Sequence, residues 1–144
     1  TSKKKADIIS LIFILFLQGE SADVICESDR YWEWCRWIHM DHFCDFEWVS
    51  LGSGVQQIGC DFPQGKVEFI GDYEKHQCGL RIHDLNAKDR GIWMCEMENI
   101  IQDFLEGNVN VDSAFYLELE TNGVIPQGTL RSLLNLRAII EGLS

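Results

Sequence analysis

The chain has 144 residues, and its 12 Lys and Arg stand against 23 Asp and Glu, so the formal net charge at pH 7 is 12 − 23 = −11. A chain of this length is expected to form a single domain with one core, because domains usually contain about 100 to 150 residues. The acidic excess argues against binding to nucleic acid or to anionic lipid, since both depend on Lys and Arg that neutralise phosphate.

The first predicted element is a secretory signal peptide at residues 1–21. Three lysines precede the apolar run of residues 8–17, and the small residues Gly19 and Ser21 follow it. Cleavage is expected after Ser21. The uncharged stretch is shorter than the roughly twenty residues of a membrane span, so none is expected in this chain; a core helix and an uncleaved anchor are the alternatives. We expect a secreted protein, or the extracellular part of a cell-surface protein if the chain is a piece of a longer one.

Six cysteines follow this segment: Cys26, Cys35, Cys44, Cys60, Cys78 and Cys95. An even number of cysteines in an oxidising compartment predicts three disulfide bonds. Six cysteines allow fifteen pairings, and their number alone does not choose among them.

Apolar and polar residues alternate along residues 22–121, which predicts antiparallel strands that are buried on one face. Leu80 and Ile82, for example, alternate with Arg81 and His83. The same pattern occurs at Val24 and Cys26, at Val67 and Phe69, and at Phe115, Leu117 and Leu119. Many short strands separated by turns predict an all-β sandwich of two sheets. A short helix is expected in the C-terminal tail, residues 122–144.

A motif at residues 80–95 has the form L-x-I-x-x-L-x-x-x-D-x-G-x-W-x-C. It comprises Leu80, Ile82, Leu85, Asp89, Gly91, Trp93 and Cys95. It resembles the corner between strands E and F of the immunoglobulin superfamily, where a tyrosine usually stands at the position of Trp93. The resemblance implies a V-type, Greek-key antiparallel sandwich at residues 22–121, with structural roles for the motif residues. The hydroxyl bond of the usual tyrosine must then be lost or replaced by the indole N–H.

The run Tyr31-Trp32-Glu33-Trp34-Cys35 resembles the start of strand C in V domains of the polymeric immunoglobulin receptor kind and in arthropod immunoglobulin-like proteins. This resemblance implies that Trp34 is the core tryptophan. It implies the pairs Cys26–Cys95, Cys35–Cys44 and Cys60–Cys78. Cleavage after Ser21 would leave strand A absent or truncated. In the alternative, Cys35 bonds Cys95, residues 22–34 form strand A, and Trp48 is the core tryptophan.

Lys66 opens the predicted strand that contains Val67 and Phe69. Domains of this family often carry a cation at this position, bonded to the aspartate of the corner. The resemblance therefore implies an ion pair between Lys66 and Asp89. We interpret this pair as structural rather than as part of a ligand site.

Four residues, Cys35, His39, His42 and Cys44, are of the types that bind zinc. Their spacing matches no familiar zinc finger, and thiols in a secreted chain are normally oxidised, so surface histidines beside a disulfide are the preferred interpretation. The chain has neither a Gly-x-Ser-x-Gly nucleophile motif nor a phosphate-binding glycine loop. We therefore expect neither an enzyme nor a cofactor.

Seven aromatic residues lie within the eighteen residues from Tyr31 to Trp48. A sandwich with alternating strands cannot bury all of them, so part of this cluster is expected on an outer surface that binds a partner. The predicted binding face comprises Trp32, Trp37, Phe43 and Phe46. The expected function is recognition of an extracellular protein, as in adhesion or immunity, with homo-association through an edge strand or the tail as a further possibility. A small disulfide-stapled effector or inhibitor is the alternative, and a zinc-dependent hydrolase is the remote one.

Overall fold

The computed structural model describes residues 8–49, 54–98 and 111–120, and these residues form nine strands and two short 3-10 helices. The strands are β1 (Ile8–Phe16), β2 (Ala22–Glu27), β3 (Trp34–His39), β4 (His42–Val49), β5 (Gly54–Cys60), β6 (Val67–Ile70), β7 (Gln77–Ile82), β8 (Gly91–Glu98) and β9 (Val111–Leu119). The 3-10 helices are Tyr73–Lys75 and Ala87–Asp89. The prediction of a β protein is confirmed. The tail at residues 122–144, with its expected helix, lies outside the described residues.

The strands form two sheets. The larger sheet has the order β1-β9-β8-β3-β4-β5 and the smaller one the order β2-β7-β6. All paired strands are antiparallel except β1 and β9, which are parallel. Buried residues of both sheets belong to one hydrophobic cluster. The two sheets therefore pack face to face as the predicted sandwich.

Alternation of side chains along the strands builds this core. In β3 the residues Cys35, Trp37 and His39 are buried and the residues between them are half-exposed. The strands β2 and β8 alternate in the same manner. The strands that the sequence pattern predicts are found in β2, β6, β7 and β9. One face of each strand thus meets the other sheet, because successive side chains point to opposite faces.

The N-terminal apolar run forms β1 at the edge of the larger sheet. It pairs with β9 from Ile8 opposite Val111 to Phe16 opposite Leu119. Phe16 is 2% exposed and belongs to the core. Residues 17–21, all exposed, connect β1 to β2. Removal of residues 1–21 stays a prediction; in the chain that keeps them, β1 supplies a strand ahead of β2.

The turn after β7 is held together by the carboxylate of Asp89, which is 6% exposed. Its Oδ2 accepts hydrogen bonds from the backbone N–H of Asn86 at 2.9 Å and from Lys66 Nζ at 2.6 Å. Lys66 Nζ also donates to the backbone oxygen of Asp84 at 3.0 Å. The ion pair expected from the sequence therefore ties the start of β6 to this turn.

Trp93 is tied to the turn before β8. Its indole Nε1 donates a hydrogen bond to the backbone oxygen of Asp89 at 2.9 Å. Gly91 begins β8 with a φ of +108°, a conformation that side chains other than that of glycine rarely adopt. The three apolar residues of the motif are fully buried: Leu80, Ile82 and Leu85. These residues of the corner are thus buried or hydrogen-bonded within it.

Two neighbouring disulfide bonds join the two sheets. Cys26 of β2 bonds Cys95 of β8, which is the predicted pair. Cys35 of β3 bonds Cys78 of β7, and the Cα–Cα distance is 6.6 Å in both bridges. Cys26 and Cys78 are direct cross-strand neighbours, so the two bridges are adjacent.

The predicted pairs Cys35–Cys44 and Cys60–Cys78 are wrong, and strand register gives the reason. Cys35 lies opposite Phe46 in the β3–β4 hairpin, so it does not face Cys44 directly. Cys44 lies opposite Cys60 of β5 with a Cα–Cα distance of 4.0 Å, and these two are bonded. Cys35 points into the core, where Cys78 of the other sheet is within reach. The alternative bond from Cys35 to Cys95 is excluded as well.

Candidate recognition face

The two tryptophans of β3 face the opposite way from the prediction. Trp37 is fully buried with its ring centroid 5.8 Å from that of Phe115, whereas Trp34 is half-exposed on the other side of the sheet. The assignment of Trp34 to the core and of Trp37 to the binding face is therefore wrong. The Cys35–Cys78 bond explains the difference. Because side chains alternate, an inward Cys35 requires an inward Trp37 and an outward Trp34.

The other three residues predicted for the binding face separate as well. Trp32 is buried in front of β3, and its ring lies 5.0 Å from that of Tyr73 in an edge-to-face arrangement. Phe46 is buried on the inner side of β4. Phe43 is half-exposed and neighbours Ile38 across the strands. The predicted exposure of Trp32 and Phe46 is thus wrong, and Phe43 is the member of the set that lies on the outer side.

We use the name outer face for the side of the larger sheet that points away from the core. Its residues follow from the alternation within each strand and from the register between strands. The outer face includes Ala114 and Tyr116 of β9, Ile92, Met94 and Glu96 of β8, Trp34, Arg36 and Ile38 of β3, and Phe43, Asp45 and Glu47 of β4, and in the chain that keeps residues 1–21 it also includes Phe13 of β1.

An apolar band crosses the outer face. One row of cross-strand neighbours runs through β4, β3, β8 and β9 and consists of Phe43, Ile38, Met94 and Ala114. The next row runs through β8 and β9 and consists of Ile92 and Tyr116, and it continues to Phe13 of β1 in the chain that keeps residues 1–21. All are half-exposed except the buried Ala114. Single exposed apolar residues are ordinary, but a contiguous apolar patch marks an interaction surface.

Arg36 lies beside the apolar band and is held in place from several sides. Its guanidinium donates two hydrogen bonds to the carboxylate of Asp45, at 2.6 and 2.8 Å. Its central carbon lies 5.1 Å from the ring centroid of Trp34 and 4.7 Å from that of Phe43. The hydrogen bond to Asp45 raises the pKa of Arg36. A partner would therefore meet a charged, preorganised side chain and lose little conformational entropy in ordering it.

Carboxylates border the band next to Arg36. Glu96 is the cross-strand neighbour of Arg36 on β8, and Glu47 is the neighbour of Trp34 on β4. Glu47 is exposed and Glu96 is half-exposed. The outer face thus combines an apolar centre with an acidic border, in a chain whose net charge is −11.

A cleft lies at the end of the sandwich near Asp89. It is an open cleft of about 900 Å³ between the β3–β4 turn, the segment before β6 and the turn after β7. His39 is 4% exposed, its ring stacks on that of Trp93 at 4.2 Å, and its Nε2 lies 2.8 Å from the backbone oxygen of Arg90. Burial lowers the pKa of His39. These contacts give the imidazole a structural role beneath the cleft.

The four residues considered as zinc ligands do not form a site. Cys35 and Cys44 are bonded to different partners, so neither is a free thiolate. The imidazole of His39 is directed to a backbone oxygen instead. Within residues 8–49, 54–98 and 111–120, no group of three or more His, Cys, Asp or Glu side chains could hold a metal ion. The pattern that suggested a zinc hydrolase therefore has no counterpart in the fold.

Comparisons with protein-family models and with curated proteins found no match. In the part of the chain that the structure describes, no helix is long and apolar enough to cross a bilayer.

Several residues of the outer face were not predicted from the sequence, notably Arg36, Ile38 and Met94. For Met94 a signal was available, because it lies between Trp93 and Cys95, which the corner motif places in the core. For Arg36 and Ile38 no local signal exists. Their orientation depends on which way Cys35 points, and that follows from a bond to a distant residue.

Proposed function

We propose that this chain is a V-type immunoglobulin-like binding module, secreted or displayed on a cell surface, that recognises an extracellular protein without catalysing a reaction. The strand order supports this proposal. V-type domains add two strands to the sheet that contains strands G, F and C, and β9, β8, β3, β4 and β5 follow one another in that order. Adhesion or immune recognition is the role that the family resemblance implies.

The core supports the same family. A V-type domain has a buried tryptophan on strand C packed near the disulfide between the sheets. Trp37 of β3 is the cross-strand neighbour of Cys95, which bonds Cys26 of the other sheet. The hydrogen bond from Trp93 to the backbone of Asp89 takes the place of the usual tyrosine bond at the corner. Three disulfides are also typical of proteins from an oxidising compartment.

The observation that carries the recognition role is the apolar band with Arg36 fixed beside it. Aromatic residues, methionine and arginine are enriched where proteins bind one another, and a few of them usually supply most of the binding energy. The outer face offers Trp34, Arg36, Phe43 and Met94 in neighbouring positions. Arg36 is already oriented by Asp45, so its entropy cost on binding is small.

The border of the outer face indicates the chemistry of the partner. Glu47 and Glu96 flank Trp34 and Arg36, so a partner with an apolar centre and a basic border fits best. Two copies of this chain placed face to face would bring like charges together, which costs free energy. The partner on the outer face is therefore a different protein, and association should slow as ionic strength rises.

The test compares two isoleucines on opposite sides of the sandwich. Ile38→Glu places a charge in the middle of the apolar band, and Ile25→Glu places the same charge on β2, where Ile25 is 40% exposed. A multimerised form of the protein is screened against a panel of purified extracellular proteins. Partners found with the wild type should bind Ile38→Glu about 30-fold more weakly or worse and Ile25→Glu unchanged.

Urea unfolding of both variants checks that each is folded. Binding that survives Ile38→Glu but is lost with Ile25→Glu would contradict the proposal and move recognition to the smaller sheet. Absence of any partner, together with a toxic or inhibitory activity of the protein alone, would favour the effector alternative.

A further inference from the structure

The strand β1 is the part of the sandwich that the predicted cleavage would remove. It stands at the edge of the larger sheet, and its hydrogen-bonded neighbour is β9. The connection to β2, residues 17–21, is exposed, and it contains the predicted cleavage site after Ser21. Removal of the predicted signal peptide would therefore cut at the boundary between β1 and β2 and take β1 away.

While present, β1 fills a groove along β9. Phe16 is 2% exposed, Ile14 packs against the core, and Ile12 is 44% exposed. Alternate side chains of β1 thus point into the groove, and their burial increases towards the C-terminal end of the strand. This arrangement defines what fits: an extended strand, parallel to β9, with large apolar residues at every second position.

Loss of β1 would expose a long edge that is open to strand pairing. The inward residues of β9 next to the groove are Phe115 and Leu117, which lie opposite Ile12 and Ile14. The β9 sequence contains no proline. Glu118 is buried, with its carboxylate 3.0 Å from Arg90 Nε, so it does not serve as an exposed edge charge. Such an edge is a template for another strand.

We propose that the edge of β9 is an acceptor site for an extended apolar strand of another protein, which takes the position of β1 once residues 1–21 are removed. Backbone hydrogen bonds to β9 supply affinity, and the core contacts made at the positions of Ile14 and Phe16 supply specificity. A second copy of this chain is the poorer occupant. Two identical edges related by a two-fold axis pair antiparallel, whereas this groove holds a parallel strand. The proposal depends on cleavage after Ser21 and not on the outer face.

The experiment uses the full chain with a specific protease site inserted between Gln18 and Gly19. After cleavage, a fluorescein-labelled peptide of residues 3–17, which carries three lysines for solubility, is added in excess, and its incorporation is followed by fluorescence anisotropy. The control peptide carries Ile14→Glu and Phe16→Glu, and the control protein is the uncut chain.

The labelled peptide should exchange into the cut protein at one per chain. The control peptide should bind at least about tenfold more weakly, because two buried carboxylates would lack partners. The uncut chain should take up neither peptide.

If cleavage unfolds the protein, the proposal is still tested. Near-ultraviolet circular dichroism would then show the loss of packing, and the peptide of residues 3–17 must restore the native signal while the control peptide must not. Equal incorporation of both peptides would overturn the proposal. So would a cut protein that dimerises and refuses the peptide, or a secreted protein whose N-terminal residue precedes Ile8. The Ile38→Glu variant must incorporate the peptide normally, which separates this site from the outer face.

Discussion

The corner after β7 and the β3–β4 hairpin differ in which contacts determine the orientation of their side chains. At the corner, Asp89 contacts Asn86 and Trp93, which lie three and four residues away in the chain. In the hairpin, the orientation of Trp37 depends on a disulfide that spans 43 residues. The corner was therefore predictable from the resemblance of its motif, whereas the side-chain orientation of the hairpin was not predictable from its sequence. The difference shows that a local pattern determines contacts only when the contacts themselves are local.

The largest expected effect separates the two tryptophans of β3. Trp37→Ala should lower the free energy of unfolding by about 3 to 5 kcal/mol, because it leaves a cavity in the core. Trp34→Ala should lower it by less than about 1 kcal/mol, since that ring is half-exposed on the outer face. Urea unfolding followed by circular dichroism measures both. Equal losses would mean that the two rings share one environment, contrary to the structure.

Removal of each disulfide tests how much the bond between the β3–β4 hairpin and the smaller sheet contributes to stability. In the chain-entropy model, the double variant Cys35→Ala/Cys78→Ala should lose about 4 kcal/mol and Cys44→Ala/Cys60→Ala about 3 kcal/mol, because the bonds span 43 and 16 residues. Guanidinium unfolding measures the losses. Mass spectrometry of an unreduced digest identifies the pairs directly, and a Cys35–Cys44 peptide would refute the pairing described above.

The corner should respond to loss of its ion pair. Lys66→Met leaves the buried carboxylate of Asp89 without its cation. The cost should be about 2 kcal/mol, between that of an exposed pair and that of a fully buried one. Lys88→Met is the matched control, because Lys88 lies in the same turn with its side chain exposed. Thermal unfolding compares the two variants, and an equally small effect of both would show that the ion pair contributes little.

The smallest expected effect is the pH dependence due to His39, which stacks on Trp93 of the corner motif. Burial lowers its pKa in the folded state, although its bond to Arg90 and the charge of Asp89 act in the opposite direction. As pH falls through about 6.5, the unfolded chain binds a proton that the folded protein does not. Stability should therefore decrease from that pH down to the folded pKa, with a slope of at most about 1.4 kcal/mol per pH unit.

Urea unfolding of the wild type and of His39→Gln between pH 5 and 8 measures this slope. The variant should lose the contribution of His39, whereas His42→Gln, at an exposed position of the same strand pair, should retain it. A slope that persists in His39→Gln would assign it to other groups.

Much of the fold was predictable because it depends on short-range patterns. Alternation predicted β7 and β9, and the corner motif predicted the positions of Asp89, Gly91 and Trp93. The pair Cys26–Cys95 followed from a family resemblance and is present. The candidate site was less accessible to prediction. Phe43 was placed on the correct side, but Trp32, Trp37 and Phe46 were not, because Trp37 and Phe46 are oriented by strand register and Trp32 is buried by contacts with the distant Phe69 and Tyr73.

Alternation of apolar and polar residues was sufficient to predict a β protein, because it involves residues close together in the chain, and the corner was expected from its resemblance to a family motif. Tertiary structure was needed to decide which thiols pair and which tryptophan is buried. Cys44 meets Cys60 through the register of β4 and β5, and Cys35 meets Cys78 through the packing of two sheets. A one-residue change in register reverses every side chain of a strand, so long-range pairing decides the surface that a partner can contact.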